Sequence, residues 1–245
     1  MSVRATAATA ARVVQQLRHD PRTIVLVLFV PPALLALFKY VFDSNAAAFD
    51  RIGAPLVGLF PFISMFLVTS IAMLRERTSG TLERLMTLPI AKLDLLFGYG
   101  IAFAAVAAVQ ASISAAVAFG ALGLHVAGST AAVIALAIAN AVLGLALGLF
   151  VSAFATTEFQ AVQFMPAFVL PQILLCGLIA PRREMASALD WISYAMPLTY
   201  AYDALHRVAA EDALTGAVVI DAVVVAGLTL LALGLGASTL RRRTG

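Results

Sequence analysis

Residues 95–157 read LLFGYGIAFAAVAAVQASISAAVAFGALGLHVAGSTAAVIALAIANAVLGLALGLFVSAFATT, and no Asp, Glu, Lys or Arg occurs among them. A helix crosses the roughly 30 Å hydrocarbon core of a bilayer with about 20 predominantly apolar residues. The stretch is too long for one crossing, and Gly120, Gly123, His125, Gly128 and Ser129 interrupt it with turn-forming residues. It predicts two spans, Leu95–Ala118 and Thr130–Phe154, joined as a hairpin.

Working outward, further apolar runs cover Ile24–Tyr40, Ile52–Leu74, Ala161–Ala180 and Ala217–Leu240. The composition agrees: 62% of residues are hydrophobic and 12% charged, against about 45–50% and 25% in soluble domains. Mean hydropathy is +0.99. The expected fold is an all-α integral membrane bundle of six spans over residues 24–240, with both termini on one side. Which side follows from Lys and Arg near the span ends. Residues 1–23, the 75–94 loop and the 241–245 tail together carry 11 of the 16 basic residues. These segments are predicted to be cytoplasmic, in a multi-pass protein of the inner or plasma membrane. The net charge of +3 reflects this asymmetry and gives no reason to expect nucleic acid. The N-terminal apolar stretch is expected to be a retained first span, because Lys39, Asp43, Ser44 and Asn45 separate it from the alanines that follow.

Three segments between the spans carry information. In residues 1–23, Val13, Val14 and Leu17 share one helical face, which predicts an amphipathic helix on the cytoplasmic surface, ended by Asp20-Pro21. In residues 75–94, Gly80 breaks the chain, Pro89 stops it, and Leu82, Leu85 and Met86 form a short apolar stripe between them. A short cytoplasmic helix is expected there. In residues 181–216, Ser187 and Asp190 have capping-box spacing, Pro197 interrupts, and Trp191, Tyr194, Tyr200 and Tyr202 suit the headgroup level. This predicts a broken, partly re-entrant helical pair on the outer face.

The chemistry that is missing narrows the function. Neither Lys39 nor Lys92 follows a phosphate-binding glycine pattern, so no ATP hydrolysis is expected from this chain. The single cysteine, Cys176, lies in a predicted span, and His19, His125 and His206 have no metal-ligand spacing. No catalytic residue and no metal site is expected. The predicted spans lack midplane carboxylates, which disfavours an ion-coupled carrier and implies that energy arrives from another subunit. Neutral polar residues remain: Gln110 and Asn140 read as interhelical hydrogen-bonding groups, and Gln172, beside Pro171 and near Pro166, reads as a transport-pathway residue on a kinked span.

Three stretches resemble one family in order: LRHDPRTIVLVLFVPPALLALF (17–38), RERTSGTLERLMTLPI (75–90) and LPQILLCGLIAPRREMASALDWISYAMPLTYAYDALHRV (170–208). With the six-span pattern, they make the chain resemble the ABC-2 family of ABC-transporter permeases, of the daunorubicin-resistance type that exports drugs and lipids. The resemblance implies pairing with an ABC ATP-binding subunit, which holds ATP and Mg, and with a second permease copy, identical or related. This chain would bind no cofactor itself. Its 75–94 loop would be the coupling helix, with Arg75, Glu76, Gly80, Thr81, Glu83, Arg84 and Pro89 on the matching positions. Pro181, Met185, Pro197 and Tyr200 would form the outer gate, with Arg207 matching the same signature. The charged run 180–184 departs from the family's apolar turn. The implied function is ATP-driven export of an amphipathic drug or lipid, while the same family also exports polysaccharide and sodium.

Overall fold

The computed structural model describes residues 2–81, Arg84 and residues 92–239. Its described elements are helical throughout: α1 (Val3–Arg18), α2 (Pro21–Val41), α3 (Ala46–Thr78), α4 (Lys92–Ala116), α5 (Thr130–Val151), α6 (Glu158–Leu175), α7 (Ser187–Ser193), α8 (Pro197–Ala210) and α9 (Gly216–Thr239). A π-helical turn, Val117–Ala121, continues α4. Short 3₁₀ turns, Ser152–Phe154 and Arg182–Glu184, follow α5 and precede α7.

Asp20 and Pro21 separate α1 from α2. The Asp20 side chain accepts from Thr23 N at 3.2 Å and Thr23 Oγ1 at 2.6 Å, while Pro21 occupies the first helical turn, where its missing N–H costs nothing. Those bonds from Thr23 hold the Asp20 carboxyl below its ordinary pKa. Asn45 caps α3 by accepting from Ala48 N at 3.1 Å. From there α3 runs for 33 residues, or about 50 Å at 1.5 Å per residue. It begins before the predicted Ile52 and carries Arg75, Glu76 and Arg77 beyond the apolar run as rigid helix.

The core is built where α5 crosses α3. Gly144 and Gly148 stand against the backbone carbonyls of Phe62 and Phe66, close enough that a β-carbon at either would overlap them. Thr69 Oγ1 donates across the same seam to Leu145 O at 3.2 Å. Such small-residue seams let two helices approach at backbone distance. Phe62, Met65 and Phe66 are fully buried beside it. In α2, Pro31 has no N–H for Val27 O one turn earlier, and Gln110 Nε2 of α4 donates to that freed carbonyl at 2.7 Å. The expected interhelical role of Gln110 is thus visible, and its partner is the carbonyl that Pro31 leaves without a donor.

Two ends of the bundle can be told apart. The basic end gathers α1, the C-terminus of α3 and the start of α4, and Arg77 of α3 donates to Thr239 of α9 there at 3.5 Å. The hairpin end gathers the α4–α5 turn, the start of α3 and α8. There Asp50 accepts from His125 N at 3.0 Å, and the carbonyls of Ala209 and Val208 accept from Ala127 N at 2.9 Å and Gly128 N at 3.1 Å. The latter two bonds satisfy carbonyls that the end of α8 would otherwise leave orphaned.

Among the described residues, five helical stretches are long and apolar enough to cross a membrane: Pro21–Val41, Ala46–Thr78, Asp94–Ala121, Thr130–Phe154 and Gly216–Thr239. The sixth expected span, Ala161–Ala180, falls on α6, which is not among them. That helix is short and carries Glu158, Gln160, Gln163 and Gln172, and it stops at Cys176, before Gly177 turns the chain at φ +104°. It nevertheless runs antiparallel to α3 between the two ends. Glu158 pairs with Arg75 at one end, the Phe66 and Phe168 rings stack midway at 6.1 Å, and Cys176 lines a small cavity with Pro55 near the other.

Beyond α6 the expected broken helical pair is present as α7 and α8. The capping box is not. Ser187 is the first residue of α7 and caps nothing; Leu189 N and Asp190 N bond to Ala186 O, so the helix starts one residue earlier than the box requires.

Candidate coupling and transport surfaces

At the basic end, α1 is clamped onto α3 and α4. Gly98 of α4 leaves room for Thr9 and the Thr6 carbonyl of α1, and Ser2 N donates to both Asp94 carboxylate oxygens at 3.1 Å. Between the three helices Arg12 pairs with Glu76 at 3.4 Å and donates to the Tyr99 hydroxyl, with its guanidinium 5.5 Å from the Tyr99 ring centre. Glu76 is only 5% exposed. The family resemblance puts this residue on a surface offered to a partner subunit. The fold instead uses it inside the protein, tying α1 to the end of α3. Neither Arg12 nor Tyr99 stands out in the sequence, because the tie joins positions 12, 76 and 99 and leaves no local pattern.

Arg75 faces outward. Its Nε and Nη2 meet the two Glu158 oxygens at 2.7 and 3.1 Å. Both side chains are more than half exposed, so the pair contributes at most about 1 kcal/mol and marks where α6 starts rather than what holds it. Gly80 adopts φ +72°, in the left-handed region, with no atom of the described residues within 4 Å of where a β-carbon would stand. The sharp turn expected there is present. Thr81 Oγ1 lies 3.0 Å from Ser79 Oγ, and Arg84 N donates to Gly80 O at 3.0 Å. Glu83 and Pro89 lie outside the described residues.

Beside this end a groove of about 610 Å³ opens between α2 and α3. Val30, Leu34, Phe60, Ile63 and Leu67 give it apolar walls, Met165 of α6 touches it, and Asp20, Arg75, Glu76 and Tyr99 line its polar end. A smaller cavity of about 230 Å³ lies on the other face of α2, toward α4. Helix α2 therefore has open space on two sides and is held at Val27 by Gln110.

The predicted pathway residues of α6 divide. Pro166 and Pro171 lie inside the helix and leave backbone carbonyls without their usual donors. Gln172 is buried and committed: its Oε1 accepts from Leu198 N at 3.2 Å and its Nε2 donates to Phe168 O at 3.0 Å. Leu198 N is one of the orphan donors in the first turn of α8, so Gln172 caps α8 from a neighbouring helix. Replacing it by Leu leaves that N–H buried and unpaired, which costs about 1–3 kcal/mol. Gln172→Leu is therefore expected to lower the melting temperature of the purified protein by several degrees. Parent-like melting of this variant would remove the capping role.

At the hairpin end Pro181 starts the 3₁₀ turn, Glu184 N donates to its carbonyl at 2.9 Å, and Met185 N donates to Arg182 O at 3.0 Å. Pro197 opens α8, and the Tyr200 hydroxyl donates to Tyr194 O at 2.8 Å, joining α8 to the end of α7. Arg182 forms a close ion pair with Asp203 and lies over the Tyr194 ring, and Arg207 meets Asp221 of α9 at 3.4 Å. Burial pushes the Asp203 carboxyl up to about 6, with Arg182 pulling the other way. Arg182, one of the charges in the 180–184 run, thus fastens the segment before α7 to α8. Trp191 and Tyr194 remain exposed beside each other, with ring centres 6.3 Å apart.

No cluster of metal-ligating side chains occurs among the described residues. The profile of the family described as ABC-2 type transporter matches residues 4–208. The chain is similar to the probable multidrug ABC transporter permease YbhR of Escherichia coli (strain K12), with 28% identity over 158 residues, 64% of this chain and 43% of that protein. It is also similar to ABC transporter G family member 20 of Dictyostelium discoideum, with 23% identity over 166 residues, 68% of this chain and 23% of that protein. The chain spans less than half the length of these relatives. With a match over most of its length, and with the apolar helices described above, this multi-pass membrane protein belongs to the ABC-2 type transporter family.

Proposed function

We propose that this chain is the membrane subunit of an ATP-driven exporter that moves an amphipathic drug or lipid-like molecule out of the cytoplasm or the inner leaflet. ATP and Mg are held by a separate ABC ATP-binding subunit, and a second permease copy, identical or related, completes the transport path. In this reading α6 is the sixth span, supported by its run between the two ends of the bundle. Six crossings return both termini to the basic end, which the Lys and Arg distribution assigns to the cytoplasm. The family's occurrence in transport complexes and the multidrug name of the bacterial relative support the substrate class.

One observation carries the coupling part. Helix α3 continues unbroken from the hairpin end to Thr78, and just short of Gly80 it is tied to α1 through Glu76. A push on the segment that follows Gly80 is therefore transmitted along a rigid helix that also walls the groove, as a rigid-body movement. Polysaccharide and sodium, the other cargoes of the family, fit a long apolar groove less well than an amphiphile does.

The test is purification of the tagged chain in mild detergent, followed by an ATPase assay of what accompanies it. A P-loop ATPase is expected to co-purify, and Glu83→Lys in the coupling segment is expected to release it. If no ATPase is recovered under several gentle conditions, while transport follows a proton gradient, the exporter reading fails.

A further inference from the structure

Asn140 stands at the middle of α5 and is 3% exposed. Gly58 of α3 makes its place: a β-carbon there would stand 2.8 Å from Asn140 Nδ2 and 2.4 Å from Leu205 Cδ1 of α8. Room is thus kept for a carboxamide between apolar helices. Yet no hydrogen bond joins that amide to any of the described residues, so the interhelical bond expected of Asn140 is not made directly. An amide held in an apolar interior without a partner is costly. In native proteins such groups are completed by protein or by ordered water.

The amide borders a cavity of about 10 Å³ at the meeting of α3, α5, α6 and α8, which is room for about one water-sized sphere. Pro55 and Leu59 of α3, Leu198 and Tyr202 of α8, and Cys176 wall it with Asn140. An apolar cavity stays dry, whereas a polar one with room and several partners takes water. Here the polar groups are Asn140, the Tyr202 hydroxyl and the Cys176 sulfur. The hydroxyl also has no hydrogen-bond partner among the described residues. The Cys176 thiol already donates to Ile173 O at 3.3 Å, which leaves its sulfur as a weak acceptor. No charged side chain among the described residues lines the cavity, so its wall does not call for an ion. The amide both donates and accepts, as does the hydroxyl. A neutral molecule that does the same, and is no larger than water, fits the set.

We infer that this cavity is a binding site for one water molecule, which bridges the Asn140 amide of α5 to the Tyr202 hydroxyl of α8. A water bridge is nearly as strong as a direct hydrogen bond, so α5 takes hold of α8 although the two side chains do not bond to each other. Tyr202 lies one turn beyond Leu198, whose N–H is capped by Gln172. The start of α8 is then held by two polar ties, one made directly from α6 and one made through water from α5. Both fasten the helix that carries Pro197 and Tyr200.

The experiment uses the full chain in phosphatidylcholine bilayers, deuterated on carbon and isotopically labelled on the side-chain nitrogen of asparagine alone. The sequence has two asparagines, Asn45 and Asn140, so solid-state NMR shows two side-chain amide signals, and Asn45→Asp leaves only that of Asn140. Asn45 is exposed and serves as the reference for transfer of magnetisation from water. Transfer to Asn140 is expected to reach at least half of the Asn45 level. Tyr202→Phe, which removes one bond to the water and keeps the ring, is expected to lower the Asn140 transfer at least twofold and to leave Asn45 unchanged. Cys176→Leu, which fills the cavity, is expected to abolish the Asn140 transfer; should that variant fail to fold, Tyr202→Phe decides alone. Absence of transfer to Asn140 in the parent would mean a dry cavity and overturn the inference. Parent-like transfer in Tyr202→Phe would overturn the bridge to α8.

Discussion

Gly144→Val is expected to yield little or no folded protein, whereas Gly227→Val, the same exchange in α9, is expected to purify and melt like the parent. The contrast is one of surroundings. A side chain at Gly144 meets the carbonyl group and Cα of Phe62, and one at Gly148 meets the Phe66 carbonyl, while Gly227 has no atom of the described residues within 4 Å. Overpacking costs about 1–3 kcal/mol where flexible side chains can yield. Here the obstacle is the backbone of α3, itself held by fully buried Phe62, Met65 and Phe66, so the cost is expected to be about 3 kcal/mol or more. The effect extends beyond the seam, because α3 also carries the Glu76 tie and one wall of the groove. Detergent extraction followed by size-exclusion chromatography and a thermal melt measures it. A monodisperse Gly144→Val protein melting within a few degrees of the parent would show that the two helices can separate without loss of the fold.

Most of this architecture is legible in the chain because lipid imposes a length rule on apolar runs, and that rule is local. The charge-free stretch from Leu95 to Thr157 announces a hairpin, and the turn lies within Gly120 to Ser129. The amphipathic N-terminal helix, the Gly80 turn and the broken α7–α8 pair are equally local. Less legible is whatever depends on which helices meet. The glutamines and proline pairs can be read as polar groups and kinks within spans. Nothing in the sequence, however, tells that Gln110 mends the carbonyl freed by Pro31, or that Gln172 caps α8 rather than standing open to a substrate. Glu76 is the clearest case. Its motif position suggests an outward, partner-facing residue, and its burial follows from Arg12 and Tyr99, which are distant in sequence. One local signal for helix packing does exist: Gly144 and Gly148, four apart in an apolar run, have the usual spacing of a close helix seam.

Gly80→Pro is expected to abolish coupling while leaving the membrane part intact. Gly80 sits at φ +72°, its N–H donates to Arg77 O at 3.4 Å, and the residue before it, Ser79, is helical at φ −76° and ψ −6°. Proline fixes φ near −65°, has no N–H, and disfavours helical geometry in the residue before it. All three conflicts act on the direction in which the chain leaves α3, and none reaches the Gly144 seam or the Gln110 bond. The melting temperature is therefore expected to stay within about 2 °C of the parent, since the core contributions to unfolding are unchanged. ATPase stimulation or transport by the assembled complex is expected to fall at least tenfold. A companion variant separates conformation from side-chain chemistry. Asn visits the left-handed region more readily than other non-glycine residues, and no atom of the described residues crowds Gly80, so Gly80→Asn is expected to keep most activity, with Gly80→Ala between the two. The order Asn, Ala, Pro is what a turn requirement demands. Loss of activity in all three variants alike would indicate that a partner touches Gly80 directly, and normal transport by a well-expressed Gly80→Pro protein would remove this turn from the coupling path altogether.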